Sequence, residues 1–421
     1  MKPPGERDIS PYRKKEAIMT STSNPPSAVP VSDYDPFTAE ALADPIRYDG
    51  ELREYASIVH LAKYDVYAVT RQSELRQVGR DRKKFSSRSR AFADPSPFKP
   101  PLMLMQDPPE HTAIKKLALE LFSKENLRTL DETFHEEAER LVAGLLTADS
   151  VELDAVESIG TKFITKVFLD ALGAPEEGRE LLKHFADAAL NSTAPKNDLY
   201  YRKHAIGAPA LEWVERNTKR ETAGEHGWGK QIYTMVDEGR LSEEDGEQLV
   251  KLIFAAGFDT TVGSIVNSIR AFADNPEQWA LLKANPDLLG NAIEEVLRYY
   301  PPVRYTGRVA AAESEVDGHL VPEGAPMMMM WLSGGRDPRF WENPDVFDIR
   351  RENVAGHMTF GVGIHACLGQ HIARMETRAV LTAMLAHVDS LESAGVPEVS
   401  DNMQGFGFTK VPVRLFAAGK H

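Results

Sequence analysis

The stretch from Leu241 to Asp274 limits what this chain can fold into more than any other. Its apolar residues recur at helical spacing on several faces. Ser242 with Asp245 three residues on forms a helix-start signal, and Asn275-Pro276 supplies the stop. At 1.5 Å per residue the helix should run about thirty residues, roughly 50 Å. A helix apolar on several sides must be buried, which requires a large domain packed around it. The chain has 421 residues, 42% of them hydrophobic, enough to enclose such a spine. Mid-helix stands Ala255-Ala256-Gly257-Phe258-Asp259-Thr260-Thr261. Glycine and two threonines weaken a helix interior, and a threonine hydroxyl can bond the carbonyl four back and bend it. One reading is a packing notch for a neighbouring helix. The other is a gap that admits a gas molecule and water beside a reactive group.

The second feature is Phe360-Gly361-Val362-Gly363-Ile364-His365-Ala366-Cys367-Leu368-Gly369, which holds the sole cysteine of the chain. A thiolate is a soft anionic ligand suited to iron. Glycines on both sides let the backbone turn sharply near a flat ligand. The run from Leu368 to Leu385 reads as a helix, so the sulfur should sit near a helix N-terminus, where N–H groups and the helix dipole favour negative charge. That placement is expected to keep Cys367 ionised. Taken alone, a lone cysteine is more often a small buried apolar residue. A phosphate-binding glycine loop is excluded, because position 366 is Ala366 rather than glycine.

The loop resembles the haem-binding signature of cytochrome P450 monooxygenases, Phe-Gly-x-Gly-x-His/Arg-x-Cys-x-Gly, at Phe360, Gly361, Gly363, His365, Cys367 and Gly369. The resemblance implies that Cys367 is the iron ligand of haem b (heme b, iron protoporphyrin IX), with His365 on a propionate. The mid-helix segment resembles the family's Ala-Gly-x-Asp/Glu-Thr-Thr/Ser motif. It implies that Ala256 and Gly257 border the haem, that Thr260 handles bound dioxygen and that Asp259 gates the proton relay. His111 and Lys115 share a helix face, resembling a family His/Arg pair that reaches a propionate; lysine lacks the bidentate fork. Arg308 matches a further propionate partner. Glu295 and Arg298, with Arg351 downstream, resemble a buried structural triad behind the haem. Together these motifs imply a mainly α fold with small β-sheets (α+β), a single triangular haem-binding domain over residues 31–421. Residues 1–30 are polar and proline-rich, which predicts a disordered tail.

Several expectations concern the substrate pocket. In the resembling family the proline-rich segment Phe85 to Pro101 arches over the haem, which makes Phe92, Phe98 and Leu102 pocket candidates. Leu190 and Thr193 fall where lid helices pass. Leu252 and Ala256 lie on the long helix, Val303 and Thr306 before the propionate arginine, and Phe408 at a turn whose tip enters the pocket. Parts of the chain look most like bacterial P450s that O-demethylate methoxybenzoates and related lignin aromatics. Leu252 and Ala255 stand where acid-binding relatives carry serines, so a neutral methoxyphenol such as a 4-alkylguaiacol suits the pocket better than a benzoate. Another small hydrophobic substrate (para-methoxybenzoate, a terpene, a fatty acid or a macrolide) is the competing expectation. An intact Asp259-Thr260 pair argues against a peroxygenase or a non-catalytic haem carrier.

Electrons should come from NAD(P)H through a separate ferredoxin or iron–sulfur flavoprotein reductase, because one cysteine cannot ligate an iron–sulfur cluster. Lys115, Lys116, Arg374 and Arg378 are expected to form a basic docking patch. The formal net charge of −14 speaks against nucleic-acid binding. No 18-residue run is uninterruptedly apolar, and the start lacks a signal-peptide layout, so a cytoplasmic, membrane-free monomer is expected. His135-Glu136 is no zinc-protease motif, since Glu139 replaces the second histidine.

Overall fold

The structure is a computed structural model that describes residues 27–88, 92 and 103–419. Residues 1–26, with most of the tail, lie outside the described residues, as do Phe98 and Leu102. Helices dominate, and small sheets flank them. The long apolar stretch is the spine, but it is two helices, Glu243–Gly257 and Asp259–Asp274, jointed at Phe258. The hydroxyls beyond the joint explain the break. Thr260 Oγ1 donates to Ala256 O at 2.8 Å and Thr261 Oγ1 to Gly257 O at 3.0 Å, competing with the helix ladder for those carbonyls. Ser242 Oγ accepts from Asp245 N at 3.0 Å and so caps the start.

By length and composition the spine could cross a bilayer, yet 61% of its most apolar window is buried inside the protein. Around it pack Lys124–Leu145, Lys162–Leu172, Leu289–Tyr299 and the cysteine helix Gln370–His387, which share one large apolar core. Leu182–Asn191 and Asp198–Asn217 lie against each other and against the first half of the spine.

The largest sheet has six strands in the order Val31–Ser32, Ile58–Leu61, Val66–Val69, Pro326–Met330, Tyr305–Ala310, Phe85–Ser86. Ile58–Leu61 and Val66–Val69 form an antiparallel hairpin, with Val59 opposite Ala68. Met328 pairs with Ala68 in parallel and with Gly307 antiparallel. Alternation along these strands feeds two apolar clusters: Met328 and Met330 enter one, Met327 and Met329 the other. The sheet thereby fixes Val303 to Arg308 along the edge of the spine. Ser27–Ala28, assigned by composition to the disordered tail, pairs in parallel with His319–Leu320.

Glu295 and Arg298 are fully buried. Arg298 grips both carboxylate oxygens at 2.7 and 2.8 Å, and Arg351 Nε adds contacts at 3.1 and 3.0 Å. Arg298 also donates to the carbonyls of Gly335 and Pro344, which ties the segment leading to the cysteine loop onto the helix Leu289–Tyr299. Glu295→Ala strands two guanidinium groups in the interior and should destabilise the fold by about 3–5 kcal/mol; equilibrium unfolding in urea checks this.

Candidate active site

The cysteine loop is built by its backbone. Gly361 and Gly363 adopt φ of 69° and 73°, the left-handed region that favours glycine. A Cβ on Gly363 would also meet Gly79 O at 2.7 Å. Cys367 N donates to Phe360 O at 2.8 Å and closes the loop. The following helix begins at Gln370, three residues past the sulfur. Cys367 lines a chamber of ≈ 390 Å³ between this loop and the spine. Its accessible surface faces that chamber, while the surrounding protein desolvates the thiol.

Burial pushes the Cys367 thiol up from its ordinary value; the Gly369 N–H, the charges of Lys115 and Arg374, and the Gln370 N–H oppose it. The helix start therefore does not by itself keep the sulfur ionised, because desolvation of the thiolate outweighs it. A metal cation on the sulfur would reverse that balance.

His111 and His365 stand with ring centroids 4.3 Å apart. His111 Nδ1 and His365 Nε2 are buried with no hydrogen-bond partner among the described residues. Burial lowers the pKa of His111, and burial with the nearby Arg308 and His111 charges pushes His365 down to about 3. Arg308 is itself buried and lowered to about 10 by desolvation; it donates to Gly307 O at 2.7 Å. Two orphaned ring nitrogens and a buried guanidinium on one chamber wall fit the carboxylates of a bound macrocycle, and Cys367 fits its metal. Lys115 differs from its expected use: its Nζ donates to Ile364 O at 2.5 Å and Ala366 O at 2.8 Å, bracing the cysteine loop from beneath. Arg374 is likewise committed, with Nε 2.5 Å from Glu294 Oε1. Of the expected basic patch, Lys116 and Arg378 remain exposed.

Across the chamber, Ala256, Gly257 and Thr260 line the wall. The glycine notch has a packing cause as well: a Cβ on Gly257 would lie 2.2 Å from Phe168 Cε2. Leu190, Thr193, Leu252, Ala255, Val303, Thr306, Phe360 and Gly361 also line the chamber. Two pocket candidates do not. Phe92 stacks edge-on with Phe37, Tyr64 and Tyr305 in an aromatic cluster, and Phe408 packs on Tyr300 and Phe406 beneath Arg270. Trp228, Phe168, Ser87, Gln404 and Glu376 line the chamber without having been singled out by motif. For Glu376 the signal was an acid on the stripe Gly369, Ile372, Ala373 of an otherwise apolar helix face.

Asp259 is absent from the chamber lining. One residue before Thr260, it turns toward Asp187 and Lys203. Burial raises its pKa to about 7, Asp187 adds to this and Lys203 opposes it. Lys203 bridges Asp187 at 2.8 Å and Asp401 at 2.5 Å, and Arg202 also holds Asp401. Asn402 Nδ2 donates to Asp187 Oδ1 at 2.7 Å. The carboxyl behind Thr260 thus lies in the field of a charged cluster that joins the helices Leu182–Asn191 and Asp198–Asn217. Lys203→Met removes the charge that favours ionised Asp259 and should move the pH limb it governs upward; Asp187→Asn should move that limb downward. Profiles of kcat against pH check the two opposite signs.

Comparisons with known proteins agree with this geometry. The family model described as Cytochrome P450 matches residues 283–416. Cytochrome p450 CYP199A2 of Rhodopseudomonas palustris (strain ATCC BAA-98 / CGA009) is 33% identical over 405 residues, covering 95% of this chain and 98% of that protein. The solved structure of P450BioI in complex with hexadec-9Z-enoic acid ligated acyl carrier protein superposes with a TM-score of 0.79 at 26% identity, covering 90% of this chain and 100% of that one. CYP109E1 from Bacillus megaterium in complex with testosterone, at 23% identity, shares the fold with a TM-score of 0.80, over 89% and 99% of the two chains.

Proposed function

The chain belongs to the cytochrome P450 family, and from that premise we propose that it O-demethylates a small neutral methoxyaromatic, a methoxyphenol such as a 4-alkylguaiacol. The enzyme is a monooxygenase that uses haem b and electrons from a redox partner. The overall change is R–O–CH3 + O2 + 2 electrons + 2 protons → R–OH + CH2O + H2O: one oxygen atom hydroxylates the methyl group, and the resulting hemiacetal breaks to the phenol and formaldehyde.

One observation carries the choice of a neutral substrate. Every cation that lines the chamber among the described residues is already committed. Lys251 pairs with Glu215 at 3.0 Å, Lys115 holds the cysteine loop, and Arg308 belongs to the histidine wall. A substrate carboxylate would enter without a partner, and an unpaired buried charge is strongly disfavoured. Leu190, Leu252, Ala255, Ala256 and Val303 instead offer small apolar contacts, and Thr193 and Thr306 add hydroxyls for a phenol oxygen.

Cys367 holds the iron, and His111, His365 and Arg308 hold the carboxylates of the haem. When bound, the haem supplies dioxygen activation and attack on the methyl C–H bond. The chain's own residues manage water and protons. Thr260 Oγ1 directs its hydrogen to Ala256 O and leaves lone pairs facing the chamber, able to accept a hydrogen bond there. Asp259, with a pKa near 7, can release and regain a proton at neutral pH, and Lys203 and Asp187 connect it to solvent. The apolar walls exclude bulk water from the reacting centre.

Reducing equivalents are proposed to pass from NAD(P)H through a ferredoxin or an iron–sulfur flavoprotein reductase that docks beside Lys116 and Arg378, with the enzyme acting as a monomer in the cytoplasm. A different small hydrophobic substrate is the second reading, since relatives of this fold are seen with a fatty acyl carrier protein and with testosterone. Binding spectra and formaldehyde release decide between them. The proposal expects 4-alkylguaiacols to shift the haem spectrum and yield one formaldehyde per turnover, with benzoates giving no response. Tight benzoate binding without a response to alkylguaiacols overturns it.

A further inference from the structure

The polar side chains of the chamber differ in what they still have to offer a ligand. Thr193, Thr260, Thr261 and Ser264 each spend their hydroxyl hydrogen on a backbone carbonyl three or four residues back, so towards a ligand they can only accept. Thr306 is the reverse case. Its Oγ1 accepts from the Trp331 indole at 3.1 Å. An indole N–H only donates, so the Thr306 hydrogen is not used in that contact and remains to be given.

Gln404 supplies the complement. It is buried and lines the chamber, in the turn between the strands Glu398–Val399 and Phe408–Lys410. Its Nε2 donates to Tyr305 O at 3.1 Å. A carbonyl only accepts, so that contact fixes which end of the amide is nitrogen and leaves Oε1 for another partner. No described residue donates to Oε1, and it is not sealed in the interior, so its open side is the chamber. The carbonyl that holds Gln404 belongs to the residue before Thr306, which places acceptor and donor on one wall. The turn itself is firmly held. Arg304 N donates to Gln404 O and Phe406 N to Pro302 O, at 2.8 Å each. Asn402 Oδ1 accepts from Gln404 N at 3.0 Å and from Gly405 N at 2.6 Å, while its Nδ2 donates to Asp187 Oδ1 at 2.7 Å. Gln404 is thereby preorganised between the strand Tyr305–Ala310 and the helix Leu182–Asn191.

An acceptor beside a donor matches an O–H group, which gives one hydrogen and accepts another. It does not match a methyl ether, which has no hydrogen to give, nor a carboxylate, whose oxygens would meet Oε1 acceptor to acceptor. We propose that Gln404 and Thr306 form a specificity subsite for a hydroxyl on the substrate: Gln404 Oε1 accepts the hydroxyl hydrogen, and Thr306 Oγ1 donates to the hydroxyl oxygen. The subsite rests on the methoxyphenol reading and adds to it that the free hydroxyl, not the ring alone, is what the chamber selects. In a 2-methoxyphenol the two groups stand on neighbouring ring carbons, so seating the hydroxyl also restricts where the methyl can lie. An analogue without the hydroxyl leaves both protein groups unpaired, which is the source of the discrimination.

Spectral titration of the haem-loaded enzyme tests this with two compounds that differ only in the hydroxyl, 4-propylguaiacol and 3-propylanisole. The wild type should bind the guaiacol about tenfold more tightly. Gln404→Leu should bring the two Kd values together, with Gln404→Met as the second variant if leucine disturbs the turn. Thr306→Ser should keep the preference, and Thr306→Val should weaken it. Formaldehyde release reports on demethylation separately. If neither compound yields formaldehyde, the reaction assignment falls, and the subsite is judged by the same comparison of 4-propylphenol with propylbenzene. A wild type without a preference for the hydroxyl in either pair, or one that binds none of the four compounds, overturns the proposal, and so does a preference that survives both Gln404 variants.

Discussion

A thiolate set in a desolvated wall is costly, and the N–H groups of Gly369 and Gln370 and the charges of Lys115 and Arg374 offset only part of that cost. The protein raises the energy of the free thiolate by burial, and a haem iron held there would supply the compensating charge. Much of the surrounding architecture serves to hold this arrangement rigid. Left-handed glycines shape the loop, Lys115 pins its carbonyls from below, and the Glu295–Arg298–Arg351 cluster anchors the preceding segment. The same logic operates on the opposite rim, where orphaned imidazoles and a buried guanidinium wait for carboxylates.

The spine shows how a weakness in secondary structure becomes function. Threonine hydroxyls at 260 and 261 compete for carbonyls of the previous turn, and the helix is jointed at Phe258 instead of running straight. That joint separates two neighbouring residues by environment. Thr260 looks into the chamber, whereas Asp259 looks outward to a charged bracket between the lid helices. An acid raised toward neutrality by burial and a hydroxyl on the chamber wall are thereby adjacent in sequence but face different surroundings. Glu376, on the cysteine helix, is a second buried acid, lining the chamber and likewise raised in pKa by burial.

What could be read from the residues alone was whatever depends on local order. The cysteine loop, the Ala-Gly-x-Asp-Thr-Thr segment and the Glu295–Arg298 pair all act through neighbours a few positions away, and their chemistry is written in their spacing. Features that depend on distant packing were not legible. Lys115 chose loop carbonyls because the loop folds over it, and Phe92 and Phe408 left the chamber for aromatic partners from remote segments. The Phe168 ring that fills the Gly257 notch, the Asp187–Lys203–Asp401 bracket and the isolation of Glu376 each need three elements brought together by the fold. Periodicity marked the spine as buried and the threonines at 260 and 261 marked where it could bend, while the full break into two helices at Phe258 is seen only in the packed structure.

The claim that supports the rest is that Cys367, as a thiolate, would hold the iron of the haem. Its direct test is the absorption spectrum of the purified, reduced, carbon-monoxide-treated protein beside that of Cys367→Ala. The account predicts the red-shifted band of a thiolate-bound haem in the wild type and its loss in the variant. A wild-type spectrum without that shift, or a variant that retains it, would contradict the account at its base.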